Sequence, residues 1–364
     1  MEDKKTPLYE EHLKLEGNMV SFGGYILPTH YRGIKHEHEI VRSKAGLFDV
    51  SHMGEFIVSG IDSQEFMQEV TVNDVSRLKV GQAQYSAMCN ENGGIVDDIL
   101  VYKKENEFML VVNAANHNKD LKWLESKIKG NVSIKDISEI TGLVAIQGPR
   151  SRDILQMLTD FNLANIQFYN FVIGKVGGKE AIISRTGYTG ELGYEIYTSS
   201  GDITEIWNNI INAGVDHGIE PVGLGCRDTL RMEMKFALYG NDINETTNPL
   251  EAGLGWITKL GKKDFIGKKA LLEVKGDILR RLVCLEMIDK AIPRSGYPIS
   301  LDDEIIGTIT SGTMSPSLNK GIAIGYVDVP YTESGTQLFV DIRGKKKAAK
   351  IVKPPFYSKG SLMD

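Results

Sequence analysis

From about Arg280 to the end, the chain offers only short runs that alternate apolar and polar residues: Leu282–Met287, Ile305–Thr310, Ile322–Val327 and Leu338–Ile342. Each run is bounded by Gly, Pro, Ser or Asp, and none carries an apolar stripe of helical period. Side chains that alternate every two residues bury one face of a strand, so this stretch has no helices with which to cover a sheet. It must cover itself, as a barrel or a sandwich does. The change of texture places a boundary near Lys275-Gly276-Asp277, with residues 277–364 forming an all-β unit.

Upstream, strand and helix periods alternate. Gly54–Gly60 reads as a strand and Asp62–Val70 as a helix. Gln84–Cys89 and Ile95–Tyr102 form a hairpin across Asn92-Gly93-Gly94, Glu107–Asn113 is a further strand, and Leu121, Leu124 and Ile128 give Asn116–Ile128 one apolar helical stripe. A similar order follows: strand Gly142–Gln147, helix Ser151–Leu158, hairpin Phe171–Arg185 through Gly177-Gly178, strand Leu192–Thr198 and helix Ile203–Val215. Gly223–Phe236 is a further candidate helix. Residues 1–276 are therefore expected to hold two related, possibly interleaved α+β domains with antiparallel sheets and helices alongside.

Bulk properties remove several function classes. The 364 residues exceed one ordinary core, while 41% hydrophobic and 25% charged residues match a globular protein. No apolar run reaches membrane-spanning length, and the start Met-Glu-Asp-Lys-Lys-Thr-Pro is neither a signal nor a transit peptide, so a cytoplasmic protein off the membrane is expected. A formal charge of −6 argues against general nucleic-acid binding. Lysines 259, 262, 263, 268 and 269, and Arg343 with Lys345–Lys347, are local basic segments that could meet an acidic partner. Cys89, Cys226 and Cys284 lack the paired spacing of a disulfide or zinc framework and read as reduced core thiols. His36 and His38 stand without the further Cys or His ligands a metal site needs, so no metal is expected.

Three segments carry candidate chemistry. Arg185-Thr-Gly-Tyr-Thr-Gly-Glu-Leu-Gly-Tyr-Glu195 combines glycines that permit positive φ or close approach, two aromatics and two acids. Such a loop suits a flat ligand with N–H donors along one edge. In Ile95–Tyr102, Asp97 and Asp98 interrupt an apolar strand and point to opposite faces; either they face solvent at a sheet edge, or one of them needs a partner, a ligand or a raised pKa, and periodicity does not say which. In Cys226–Arg231, Arg227 and Arg231 lie four apart on one helical face beside Asp228, an arrangement that fits carboxylate recognition or an intrahelical ion-pair array. His52 in Ser-His-Met-Gly-Glu55 is expected to be structural.

Taken in order, these segments resemble the T-protein family of the glycine cleavage system, the tetrahydrofolate-dependent aminomethyltransferases. The likeness runs through Phe48-Asp-Val-Ser-His-Met-Gly-Glu55, Asn92-Gly-Gly-Ile-Val-Asp-Asp98, Val112-Asn-Ala-Ala-Asn116, Ile146-Gln-Gly-Pro149, Arg185-Thr-Gly-Tyr-Thr-Gly-Glu191, Gly223-Leu-Gly-Cys-Arg-Asp228, Leu238-Tyr-Gly240 and Ser311-Gly-Thr-Met-Ser-Pro316. The resemblance implies a three-domain cloverleaf around folate, with two α+β domains and a C-terminal barrel or jelly-roll-like domain. It implies transfer of an aminomethyl group from the lipoyl arm of H protein, with release of ammonia and formation of methylenetetrahydrofolate. By matching motif it assigns the essential carboxylate to Asp98 and ligand contacts to Met53, Tyr85, Asn113, Tyr188, Glu195 and Arg227. Glu191 becomes a structural acid, and whether Arg227 meets the pterin or a carboxylate stays open.

Two positions depart from the common family pattern: Leu192 where an acid is frequent, and Cys226 where Ala is frequent. The alternatives are a folate-dependent demethylase partner domain and a non-catalytic folate-binding protein. The first usually accompanies a flavin domain, which is absent from this sequence, and the cysteine motif of the second is also missing.

Overall fold

The computed structural model describes residues 3–364. Two sheets pack face to face and carry helices on their outer sides. The first has the order Gln82–Cys89, Ile95–Lys103, Glu107–Val112, Gly54–Ser59, Ser133–Asp136, with every pairing antiparallel. Phe56, Val58, Ile99, Val101, Phe108 and Leu110 face outward from it and are covered by Phe66, Met67 and Val70 of helix Ser63–Val70 and by Leu124 of helix His117–Ser126.

The second sheet has the order Phe171–Val176, Lys179–Ser184, Gly193–Ser199, Thr141–Gln147, Ala45–Asp49, Ile219–Pro221. Ile154 and Leu155 of helix Ser151–Gln156, with Ile203, Ile206, Trp207 and Ile210 of helix Ile203–Ala213, fill its outer side. The inner sides meet through Tyr102, Met109 and Val111 from one sheet and Phe48, Leu143, Ala145 and Tyr197 from the other. The result is a helix, sheet, sheet, helix stack, in which each sheet strand serves two cores by alternation.

Within these two sheets, one pairing departs from the expected antiparallel pattern. Ile219–Pro221 runs parallel to Ala45–Asp49, because a long crossover carries the chain back to the sheet in the same direction. Ala45–Asp49 precedes the first sheet in sequence yet sits inside the second, so the two units interleave along the chain. It escapes an alternation search because all five of its residues are buried: Leu47 enters the outer core and Phe48 the inner one.

The last unit is a closed barrel of six antiparallel strands: Arg280–Met287, Lys320–Asp328, Glu304–Ser315, Pro298–Leu301, Gln337–Ile342 and Lys345–Val352, with the last closing on the first. Val283, Leu285, Ile309, Val327 and Val340 fill it. Leu282, Ile322, Ile324 and Tyr326 alternate outward and pack on Met232 of helix Leu224–Met234.

Polar ties reinforce that junction. Arg231, 2% exposed, pairs with Asp242 at 2.7 Å and donates to Ser311 of the barrel at 2.9 Å. Glu233 accepts hydrogen bonds from Ser315 and Ser317 and pairs with Arg42 at 2.8 Å. The three cysteines are buried free thiols.

Candidate functional site

The aspartate ambiguity is resolved by which core each face meets. Asp97 is fully buried on the helix-covered face, whereas Asp98 is half-buried on the inner face, beside Leu100 and Tyr102. Asp97 is satisfied internally: it accepts from the Asn113 backbone N at 3.0 Å, from Asn113 Nδ2 at 2.8 Å and from Asn116 Nδ2 at 2.6 Å. Asp98 accepts from Tyr85 Oη at 2.9 Å and from Asn113 Nδ2 at 2.9 Å. Burial, and then the charge of Asp97, push the Asp98 carboxyl up to about 7, while the Tyr85 and Asn113 bonds hold it down. A half-buried acid that titrates near neutrality can change protonation state during a reaction.

Tyr85 therefore supplies a hydroxyl as well as a ring. Its ring lies 6.1 Å from that of Trp256, tilted by 30°, and Trp256 is 61% exposed. Asn113 follows strand Glu107–Val112 at the point where the chain turns into the short helical segment Ala114–Asn116, so one amide can bridge both aspartates.

Tyr188, Glu195 and Arg227 form a second group. Gly190 of the loop has φ +79°, and a Cβ on Gly187 or Gly193 would lie 2.2 or 2.3 Å from the Gln147 side chain. This tight path presents Tyr188, which stacks on Phe236 at 5.6 Å and donates its hydroxyl to the Ala237 carbonyl. The Arg227 guanidinium lies 4.4 Å from the Tyr188 ring centroid and has no carboxylate partner among the described residues. Glu195, half-buried on strand Gly193–Ser199, accepts from the Thr186 hydroxyl. Burial raises its pKa, and the Thr186 bond and the Arg227 charge partly offset that rise.

The two groups lie within electrostatic reach of each other. Tyr188 feels the charges of both Arg227 and Asp98, and Tyr85 those of Asp98 and Tyr188. Met53 packs against the inner core alongside Leu100 and Tyr169 and makes no polar tie to the other candidates. His52 is buried with its Nδ1 unpartnered; burial and the neighbouring Arg227 push it down to about 4, so it is neutral.

Other sequence candidates find structural work. Glu191 pairs with Arg42 at 2.8 Å and accepts from Ser361 N at 2.8 Å, while Arg185 holds the tail through the Asp364 carbonyl at 2.6 Å. His36 binds Glu220 at 2.8 Å, and His38 bonds Thr229 and Ser317, each at 2.8 Å. Leu192 and Cys226 are buried in the outer and inner cores, which is why neither departure touches the site.

Lys262 is not a surface charge. It is 9% exposed and donates to the carbonyls of Gln68, Thr71 and Asn73. Sequence reasoning missed Thr186, Asn116, Phe236 and Trp256. Of these, Thr186 and Asn116 lay within quoted motifs, and the amide of Asn116 beside buried acids was an available signal.

The geometry can be set beside known proteins. Residues 8–262 match the GCVT N-terminal domain family, and residues 280–358 the glycine cleavage T-protein C-terminal barrel domain family. Aminomethyltransferase from Halalkalibacterium halodurans is 47% identical over 361 residues, covering 98% of this chain and 99% of that protein. Aminomethyltransferase from Listeria monocytogenes serotype 4a is 49% identical over 359 residues, covering 98% of each. The crystal structure of glycine cleavage system aminomethyltransferase T from Bartonella henselae superposes with a TM-score of 0.92 at 33% identity, covering 98% of this chain and 99% of that one. With full-length agreement in sequence and in fold, the chain belongs to the aminomethyltransferase family, the T proteins of the glycine cleavage system.

Proposed function

We propose that the space between Asp98 and Glu195 takes tetrahydrofolate, and that the chain transfers to it the aminomethyl group borne on the lipoyl arm of H protein. Ammonia leaves, and 5,10-methylenetetrahydrofolate and dihydrolipoyl H protein are the products. The donor set suits the pterin. Glu195 is an acceptor for the N–H edge of an amino-pyrimidinone, Arg227 has free donors for an oxygen, and Tyr188 and Met53 offer flat or adaptable apolar surface. When bound, the folate supplies the nucleophilic nitrogen that receives the one-carbon unit.

The observation that carries the proposal is Asp98: an acid on the inner face, held by two donors and titrating near neutrality. Ionised, it stabilises the positive charge that develops as ammonia departs and can accept or return a proton at the reacting nitrogen. Asn113 and Tyr85 fix its orientation, which matters because two large substrates must meet at one point. The exposed Trp256 beside Tyr85 offers surface along which an apolar arm can enter. The test is to incubate the chain with aminomethyl-loaded H protein, with and without tetrahydrofolate, and to measure ammonia and methylenefolate. Folate-dependent ammonia release is expected, and its absence would return the reading to a demethylase partner or a binding protein.

A further inference from the structure

Behind Asp98 lies a second, deeper pair of acids that the transfer reaction does not touch. Asp120, on helix His117–Ser126, is fully buried, and neither of its carboxyl oxygens receives a hydrogen bond from any N–H or hydroxyl among the described residues. Its carboxyl lies within hydrogen-bonding reach of that of Asp97, also fully buried, which receives three N–H donors from Asn113 and Asn116. Two buried carboxylates side by side, one with no donor, are a costly arrangement, and a shared proton relieves it.

We infer that Asp120 is the protonated member of an acid–carboxylate pair with Asp97, and that this pair is a positioning device for Asp98, acting through Asn113. Given the proposed role of Asp98, the device sets the geometry of the transfer.

The unequal supply of donors decides where the proton resides. Asp97 already has three N–H groups stabilising its anion, so it is the better acceptor; Asp120 has none, so it is the better acid. Asp120 lies in the first turn of its helix, where backbone N–H groups favour an anion, yet none of them reaches its oxygens. The other charged and titratable groups around the pair do not displace the proton. Lys119 turns its Nζ to the Val96 carbonyl at 2.6 Å and to Tyr239 Oη at 2.8 Å, with Glu245 3.5 Å away, and Tyr85 spends its hydroxyl on Asp98. Burial and the Asp97 charge push Asp120 up to about 11, in line with the geometry.

The consequence reaches the site through one side chain. Asn113 Nδ2 donates to both Asp97 Oδ1 and Asp98 Oδ1, so fixing Asp97 fixes Asn113, and Asn113 orients Asp98. The proton also limits the buried charge behind Asp98 to a single negative unit. Two would push its pKa well past neutrality and leave it neutral at working pH.

The test combines infrared spectroscopy with pH profiles. Beside any signal from the buried Glu55, whose carboxyl burial also pushes up, the full chain at mildly alkaline pH is expected to show a protonated-carboxyl band that persists in Asp98→Asn and disappears in Asp120→Asn. Absence of that band from the parent chain overturns the inference whether or not the chain transfers aminomethyl groups. In Asp120→Asn the amide replaces the acid as donor, so kcat should stay within about twofold and the acid limb of kcat/KM should not move. If Asp120 were ionised, the same change would remove a negative charge and shift that limb to lower pH, which also overturns the inference. Asp120→Ala removes the donor altogether and should lower kcat about tenfold with folate affinity retained; wild-type kcat in a folded Asp120→Ala chain would contradict the positioning role.

Discussion

Tyr85→Phe isolates the hydroxyl that holds Asp98 while keeping the ring beside Trp256. A hydrogen bond to a charged group contributes about 1.5–3 kcal/mol, and one pKa unit corresponds to about 1.4 kcal/mol, so the carboxyl should rise by about one to two units. The starting point is about 7. The direction follows from chemistry: the phenol donates to the ionised form, so its loss favours the protonated form and the pKa goes up. At pH 7 the ionised fraction then falls from about one half to between about one tenth and one hundredth, a loss of about five- to fiftyfold in kcat/KM for ammonia release. The loss should be recovered towards pH 9–10, because the variant can still ionise. The assay is a pH profile of kcat/KM for both proteins with saturating folate. A uniform loss with an unmoved acid limb, or a limb moved to lower pH, would refute the assignment of Tyr85 as the group that keeps Asp98 ionised.

Glu195→Gln keeps the shape of the pocket but replaces a charged acceptor by a neutral one, and should weaken tetrahydrofolate binding by about ten- to a hundredfold in a fluorescence titration. Stability at low pH should depend on Glu233, which burial alone would raise but which His38, Arg42 and Ser315 hold down to about 2. Its contribution is present above the unfolded value near 4.5, is lost as pH falls through about 2, and amounts to about 3 kcal/mol. Urea unfolding of Glu233→Gln against the parent chain should therefore show a gap at pH 7 that narrows below about pH 4.5 and closes near pH 2, and a gap independent of pH would contradict the linkage.

The C-terminal unit was legible because strands that bury only one face in the barrel interior alternate with period two, as Glu304–Ser315 and Gln337–Ile342 do. Lys345–Val352 was hidden as a barrel strand because its first residues are largely exposed lysines, and they read as a basic patch. Ala45–Asp49 was hidden for the opposite reason, burial on both faces. The same physics left Asp97 and Asp98 undecided, since the strand that carries them is apolar on each side and only the packing partners distinguish its faces. Tyr85, Asp98 and Asn113 were named by motif, but their mutual hydrogen bonds depend on strand register, with Tyr85 opposite Leu100 on the neighbouring strand. Asp120 gave no sign of itself, because an acid in the first turn of an amphipathic helix is ordinary until its side chain proves to have no donor.

The central claim is that an ionised Asp98 drives aminomethyl transfer in a folate-filled cleft. The most direct measurement is folate-dependent ammonia release from aminomethyl-loaded H protein by Asp98→Asn, alongside its dissociation constant for tetrahydrofolate. Loss of turnover by at least about a hundredfold with folate affinity within about threefold is the expected result. Turnover near that of the parent chain would contradict it.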